Sequence, residues 1–323
     1  MSLINLSVAV LATYKRLDSL FSTLSCLSNM NSAPLPYYAQ AETLPRELPT
    51  KAEIESSQDV LCEQSARKVV GVGAHFIVKY GLQIDLAEGQ NMLMIKKTTS
   101  VSVPYIYALF KDHVSNQNYI IMERIAGVTL DRVWASLNQT QKEAVSTKIK
   151  ASLDELRKIP SPGEYCSLDK RPLLDSIFWT GDPAESLGLE GPFETEAGLN
   201  NALIRKYLSS NGLPKGKAEF YKRAFPSVLC GHPPVFTHGD LQRKNIMVLL
   251  DSIDRIEEAK DVVRVTFIDW EISGWYPSYW EYARAMFACG HFTDDWSYWV
   301  DKILDRYLNE WAWMQMIILE LWS

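Results

Sequence analysis

The stretch His238-Gly239-Asp240-Leu241-Gln242-Arg243-Lys244-Asn245 decides how the chain is read. Strand-like apolar segments flank it, Val235-Phe236-Thr237 before and Ile246-Met247-Val248-Leu249 after. A second short segment, Phe267-Ile268-Asp269-Trp270-Glu271, closes another apolar strand predicted from Val262 to Ile268. Both place their polar residues on loops at strand ends, where a rigid scaffold holds a carboxylate and still exposes it to a cleft. Asp240, Asn245 and Asp269 are therefore the candidate reactive residues. Phosphoryl transfer asks for such a set: one carboxylate to orient an attacking hydroxyl and take its proton, and a pair of oxygen ligands to hold Mg²⁺ against nucleotide phosphates. Asp240 suits the first task, and Asn245 with Asp269 the second.

Working outward, the N-terminal half reads as β-rich. Lys68–Gly73 and His75–Lys79 are predicted strands around a tight turn, with Gly81 closing the second. A helix is expected from Asp85, which with Glu88 three residues on forms a capping-box pattern. Val101–Tyr107 and Tyr119–Met122 are further predicted strands. Past Gly127 the chain turns helical: Thr140 and Glu143 suggest another capping box, Val145, Ile149, Leu153, Leu156 and Ile159 keep helical spacing, and Pro160 ends the run. Shorter helices are expected over Leu199–Leu208 and Lys217–Ala224, and aromatic-rich helices from Pro277 onward. The expectation is an α+β, bilobal fold. Residues 1–50 form a helical extension and Pro-rich linker, 51–127 a small β-rich lobe, and 128–323 a larger, mainly helical lobe, with the ligand in the cleft between the lobes.

Composition narrows the function. With 47% hydrophobic and 22% charged residues the chain is an ordinary globular protein. Its net charge of -6 argues against a general nucleic-acid binder. Five widely spaced cysteines form no CxxC pair, which points to a reduced, cytoplasmic chain rather than a disulfide framework or zinc site. The apolar run Leu3–Leu11 lacks a preceding positive charge and is too short to span a membrane. Leu17, Leu20, Phe21, Leu24 and Leu27 instead suggest an amphipathic helix packed on the body.

The motifs HGDLQRKN at 238–245 and FIDWE at 267–271, with the aromatic stretch Gly274–Tyr282, resemble the aminoglycoside phosphotransferase-like family, particularly its group in filamentous fungi. The likeness runs from about residue 52 to the C-terminus and leaves residues 1–41 outside. It implies a protein-kinase-like fold, ATP and Mg²⁺ as cofactors, and a small-molecule hydroxyl acceptor. By the same resemblance Lys79 matches the lysine on the nucleotide α- and β-phosphates, and Glu88 matches the helix carboxylate that pairs with it. Met122, Glu123 and Ile125 match the hinge whose backbone binds adenine, and His238 braces the catalytic loop. A non-catalytic nucleotide-binding module is the alternative; a protein kinase is disfavoured by the missing HRD, DFG and APE segments.

The departures are specific. No glycine-rich loop of the protein-kinase kind is present; Gly71-Val72-Gly73 is short, and Glu63–Ser65 is the other place for a phosphate-covering turn. Gln242 stands where many relatives carry histidine. Arg243 and Lys244 are open either to stabilising the transferred charge or to pairing with surface acids. The aromatic cluster of Trp270, Trp275, Tyr276, Tyr279, Trp280 and Tyr282 reads mostly as core, with Glu271 a candidate for the acceptor pocket.

Overall fold

A computed structural model describes residues 32–64, 66–179, 188–210, 212–249 and 263–321. Among these described residues, six antiparallel strands form the N-terminal sheet, in the order β1 (Tyr37–Tyr38), β5 (Ile106–Lys111), β6 (Asn118–Glu123), β4 (Phe76–Gly81), β3 (Arg67–Val72), β2 (Val60–Gln64). Val, Ile, Tyr and Phe dominate the central strands because branched and aromatic side chains pack well on a pleated surface. One face buries Val70, Phe76, Val78, Tyr107 and Tyr119 beneath α1 (Lys51–Glu55). The other carries α2 (Ala87–Thr98), whose Met92 and Ile95 pack against Leu109 and Ile120.

The sheet departs from the sequence reading at three places, the first being the edge strand β2, which that reading did not include. The predicted strand over Val101–Tyr107 begins only at Ile106, since Pro104 brings no N–H to a ladder. Residues 101–103 instead join the lobes: Ser102 accepts from the Phe267 amide (3.1 Å) and its hydroxyl meets that of Thr266 (2.9 Å). The described part of the Pro-rich linker is extended only in stretches: Tyr37 and Tyr38 pair with Leu109 and Ala108 as an edge strand, and Ala41–Thr43 form a short 3-10 turn. The amphipathic helix expected over residues 17–27 lies outside the described residues.

The chain crosses to the larger lobe at Gly127. A Cβ there would stand 2.2 Å from the Val248 carbonyl oxygen, and φ is +116°, so only glycine lets the two backbones approach. Immediately after it β7 (Val128–Thr129) pairs with β9 (Ile246–Val248), which pairs with β10 (Val265–Phe267). β8 (Pro234–Thr237) pairs with β11 (Gly274–Pro277). Two helices near the junction are α3 (Leu130–Val133) and α4 (Gln139–Leu156). The capping box of α4 lies at Asn138 and Gln141 rather than Thr140 and Glu143: Asn138 Oδ1 accepts from the Gln141 amide and Gln141 Oε1 from the Asn138 amide, each at 2.9 Å. Asparagine is the stronger cap, so the helix starts earlier. Then follow α5 (Glu196–Ser209), α6 (Lys215–Val228), α7 (Trp280–Phe287), α8 (Trp296–Ile303) and α9 (Leu308–Leu321). None of the described helices is long and apolar enough to cross a membrane.

The aromatic cluster is core. Trp270, Tyr276, Tyr279, Trp280 and Tyr282 are fully buried and Trp275 nearly so. One apolar cluster runs from Ile95 and Leu109 through Trp134 and Ile149 to Phe267 and Trp270, so the lobes share a continuous packed base beneath the cleft.

Candidate active site

The loop after β8 turns at Gly239, where φ is +87° and a Cβ would press on Ile272. His238 is fully buried; its Nε2 lies 3.0 Å from the Ile268 carbonyl oxygen, which ties this loop to the one carrying Asp269. The brace expected of His238 is present. A second brace is the buried carboxylate of Glu281 on α7, which accepts from the amides of His238 (2.7 Å) and Gly239 (3.1 Å). Its only advance sign was one acid within the aromatic run Tyr279–Tyr282. Replacing it with alanine strands two buried N–H groups, each costing roughly 1–3 kcal/mol. Glu281→Ala is therefore expected to lower the urea midpoint clearly, and Glu281→Gln, which keeps one acceptor, to lower it less.

Asp240 is held from both sides. Gln242 Nε2 donates to Oδ1, Asn245 Nδ2 donates to Oδ2 at 2.8 Å, and Lys244 Nζ lies 3.5 Å from Oδ2. The two neighbouring cations take different partners. Arg243 pairs with Asp294 at 2.6 Å and packs over Trp134 and Trp296, away from Asp240, whereas half-exposed Lys244 stays beside it. The Ile268 amide donates to the Asn245 carbonyl (3.0 Å), so Asn245 and Asp269 are locked as near neighbours.

Asp269 has φ +67°, a left-handed conformation that costs a non-glycine residue on the order of 1–2 kcal/mol. The turn aims its carboxylate at β4, where Lys79 Nζ lies 2.6 Å from Asp269 Oδ1 and 2.7 Å from Glu88 Oε1. Glu88 is thus spent on Lys79 rather than on a capping box; Asp85 alone turns the helix start, through a 2.8 Å bond from the Ala87 amide. Asn91 on the same helix donates to the Trp270 carbonyl (3.1 Å), fixing α2 to the Asp269 loop.

Burial opposes charge on all three groups, and they respond differently. Burial lowers the proton affinity of Lys79, but Glu88 and Asp269 outweigh it and hold the ammonium above its ordinary value. Asp269 is likewise disfavoured by burial, yet Lys79 keeps it below the usual carboxylate range. Glu88 is the exception: burial pushes it from 4.5 up to about 7, against the pull of Lys79. A raised folded-state pKa contributes stability that is complete below the unfolded value and disappears as pH climbs through the folded one. Between about pH 4.5 and 7 the Glu88 contribution therefore falls with rising pH. Glu88→Gln is expected to flatten that part of the stability profile, read as melting temperature at pH 5 against pH 7.5.

A cavity of about 490 Å³ lies between the lobes. Lys79, Asn245 and Asp269 line one end, and Met122, Glu123 and Ile125 line another part of its wall. The Arg124 amide makes the last ladder contact, to His75, and Ile125 beyond it lines the cavity outside the sheet. Asp240 is not among the lining residues; it stands one hydrogen bond behind Asn245. Glu271 lines this same cavity, where it accepts from Arg67. Carboxylate oxygens of Glu88, Asp269 and Glu271 lie within 4.8 Å of one another, an acidic group that Lys79 enters. Of the candidate phosphate-covering turn Glu63–Ser65, Glu63 and Gln64 belong instead to strand β2, paired with Lys68 and Arg67, and Ser65 lies outside the described residues.

Comparison with known proteins agrees with this architecture. The GDP and kanamycin complex of APH(2")-IIia aligns at 14% identity over 82% of this chain and 85% of that one, with a TM-score of 0.54. Aminoglycoside phosphotransferase APH(4)-Ia aligns at 15% identity over 84% of each chain, TM-score 0.51. A thermostable APH(4)-Ia mutant in ternary complex with ADP and hygromycin B aligns at 15% over 84% and 86%, TM-score 0.51. At these identities the likeness establishes the protein-kinase-like fold. No curated protein sequence matches the chain significantly. The model of the Phosphotransferase enzyme family matches residues 86–317, most of the chain and all of the Asp240–Asp269 loops, and the chain belongs to that family.

Proposed function

We propose that the protein is an ATP-dependent kinase that phosphorylates a hydroxyl group of a small molecule. The observation that carries the proposal is the meeting of Lys79, Asn245 and Asp269 on the wall of one cavity, with Lys79 and Asp269 190 positions apart in the chain. Family membership supports phosphoryl transfer. The GDP, ADP, kanamycin and hygromycin B bound by the structural neighbours support a nucleotide and a small hydroxylated acceptor.

Adenine takes the hinge backbone at Glu123 and Ile125 beside Met122, and Lys79 holds the α- and β-phosphates. Asn245 and Asp269 fit Mg²⁺: the Asn245 amide nitrogen is turned to Asp240, which leaves its carbonyl oxygen as a hard ligand, and Asp269 has one oxygen besides the one on Lys79. When bound, Mg²⁺ supplies neutralisation of the phosphate charge. Asp240 orients the acceptor hydroxyl and accepts its proton as the bond to phosphorus forms. Gln242 and Asn245 fix the carboxylate for this by donating to its two oxygens.

The domain reading follows: residues 51–127 bind nucleotide, and 128–323 supply the catalytic loop, the metal ligands and the acceptor pocket. The test is a panel of hydroxylated metabolites incubated with purified protein and Mg²⁺–ATP, with products read by mass. A gain of one phosphoryl group on a specific alcohol is the expected result. Nucleotide binding with no transfer and no slow ATP hydrolysis would instead favour a non-catalytic binding module.

A further inference from the structure

We propose that Arg67 is a second phosphate-contacting cation of the nucleotide site, held in the cleft by an ion pair with Glu271 that the nucleotide's polyphosphate replaces. The inference rests on the nucleotide-binding reading given above. It starts from strand register. Val69 pairs with Lys79 and Arg67 with Gly81, so Arg67 and Val69, two apart on β3, share the sheet face that presents Lys79. Arg67, Val69, Ile77 and Lys79 all line the interlobe cavity.

Arg67 is also aimed. Its Nε donates to the Gln64 amide oxygen (2.8 Å) across the β2–β3 turn, and Nη1 reaches both Glu271 oxygens (3.1 and 3.4 Å). Glu271 follows Asp269 by two residues, so the guanidinium stands at the end of the cavity where Lys79 meets Asp269. Two further cations line the cavity, but elsewhere. Arg124 follows the hinge strand and pairs with Asp59 at 2.5 Å, and Arg132 lies on α3 beyond Gly127.

Charge and exposure then separate a phosphate ligand from a fixed strut. Lys79 is already matched by two carboxylates, with Glu271 a third in the same group. A polyanion entering there needs a cation whose present partner is easily exchanged. The Arg67–Glu271 pair is about one-third exposed on each side. Such a partly exposed pair contributes little to stability and exchanges readily. A guanidinium fork matches phosphate oxygens in parallel, charge-assisted pairs, so phosphate displaces the carboxylate.

The experiment measures dissociation constants of ATP, ADP and adenosine by calorimetry in EDTA, which keeps any metal role of the acidic group out of the comparison. Arg67→Ala is expected to weaken ATP and ADP on the order of tenfold. Adenosine, lacking phosphate, should bind as before, which also shows that the variant is folded. Arg67→Lys should recover part of the loss, and Glu271→Gln should tighten ADP because the competing carboxylate is gone. An Arg67→Ala protein that binds ATP normally, or loses adenosine in equal measure, overturns the proposal. So does a Glu271→Gln protein that weakens ADP as Arg67→Ala does, because the pair is then a structural strut. If the unaltered protein binds no nucleotide, the kinase reading itself fails and this inference goes with it.

Discussion

Asp240→Asn is expected to reduce phosphoryl transfer on the order of 10²–10⁴-fold, the usual worth of a positioned acid–base group, while ATP affinity changes little. The two effects separate because Asp240 is not on the cavity wall; it stands behind Asn245, whereas the proposed nucleotide contacts, Lys79 and the hinge residues among them, line the cavity. The substitution is nearly isosteric. One of the two bonds the carboxylate accepts, from Gln242 or Asn245, loses its acceptor, a cost of about 1 kcal/mol that a folded lobe absorbs. Initial rates on the acceptor found by the metabolite panel, with ATP titration in parallel, make the measurement. An Asp240→Asn protein that transfers phosphate at the original rate would remove Asp240 from the base's role.

Lys79→Met should act on both stability and binding. The ammonium lies between Glu88 and Asp269 at 2.7 and 2.6 Å, and its removal leaves the buried Glu88 and the partly buried Asp269 without their common cation. Breaking a buried pair from one side typically costs about 3–5 kcal/mol. The loss should be largest at neutral and higher pH. Without Lys79 the pull that opposes the burial-driven rise of Glu88 disappears, so more of the penalty is relieved by protonation as pH falls. Urea midpoints at pH 5.5 and 8 would show the Lys79→Met variant recovering at the lower pH. The companion variant Lys79→Met with Glu88→Gln should regain stability at pH 8 without regaining ATP affinity. Recovery of ATP binding in that double variant would show that Lys79 served the fold rather than the phosphates.

The chain's own order accounts for how much was visible beforehand. Asp240 and Asn245 are five residues apart on one loop, so their 2.8 Å bond needs only local geometry, and the motif announced it. The strands around Lys79 were readable from apolar runs and a glycine-marked turn. The start of β5 was not, because the apolar residues Val101 and Val103 are buried against the other lobe rather than paired in the sheet. The capping pattern at Asp85–Glu88 misled for a related reason: a glutamate at that spacing serves a helix start or a lysine on a neighbouring strand, and the spacing is the same for both.

From sequence alone came the chemistry on offer: an oxygen-rich set at strand ends, a bilobal α+β plan and the family resemblance. Only the tertiary structure decided the pairings. Arg67 meets Glu271 across 204 positions, Lys79 meets Asp269 across 190, and Glu281 takes the amides of Gly239 and His238 from 42 and 43 positions away. Such partners are chosen by where the lobes close and by the demand that every buried charge and amide find an opposite. That demand is met in space, between residues whose separation along the chain carries no trace of it.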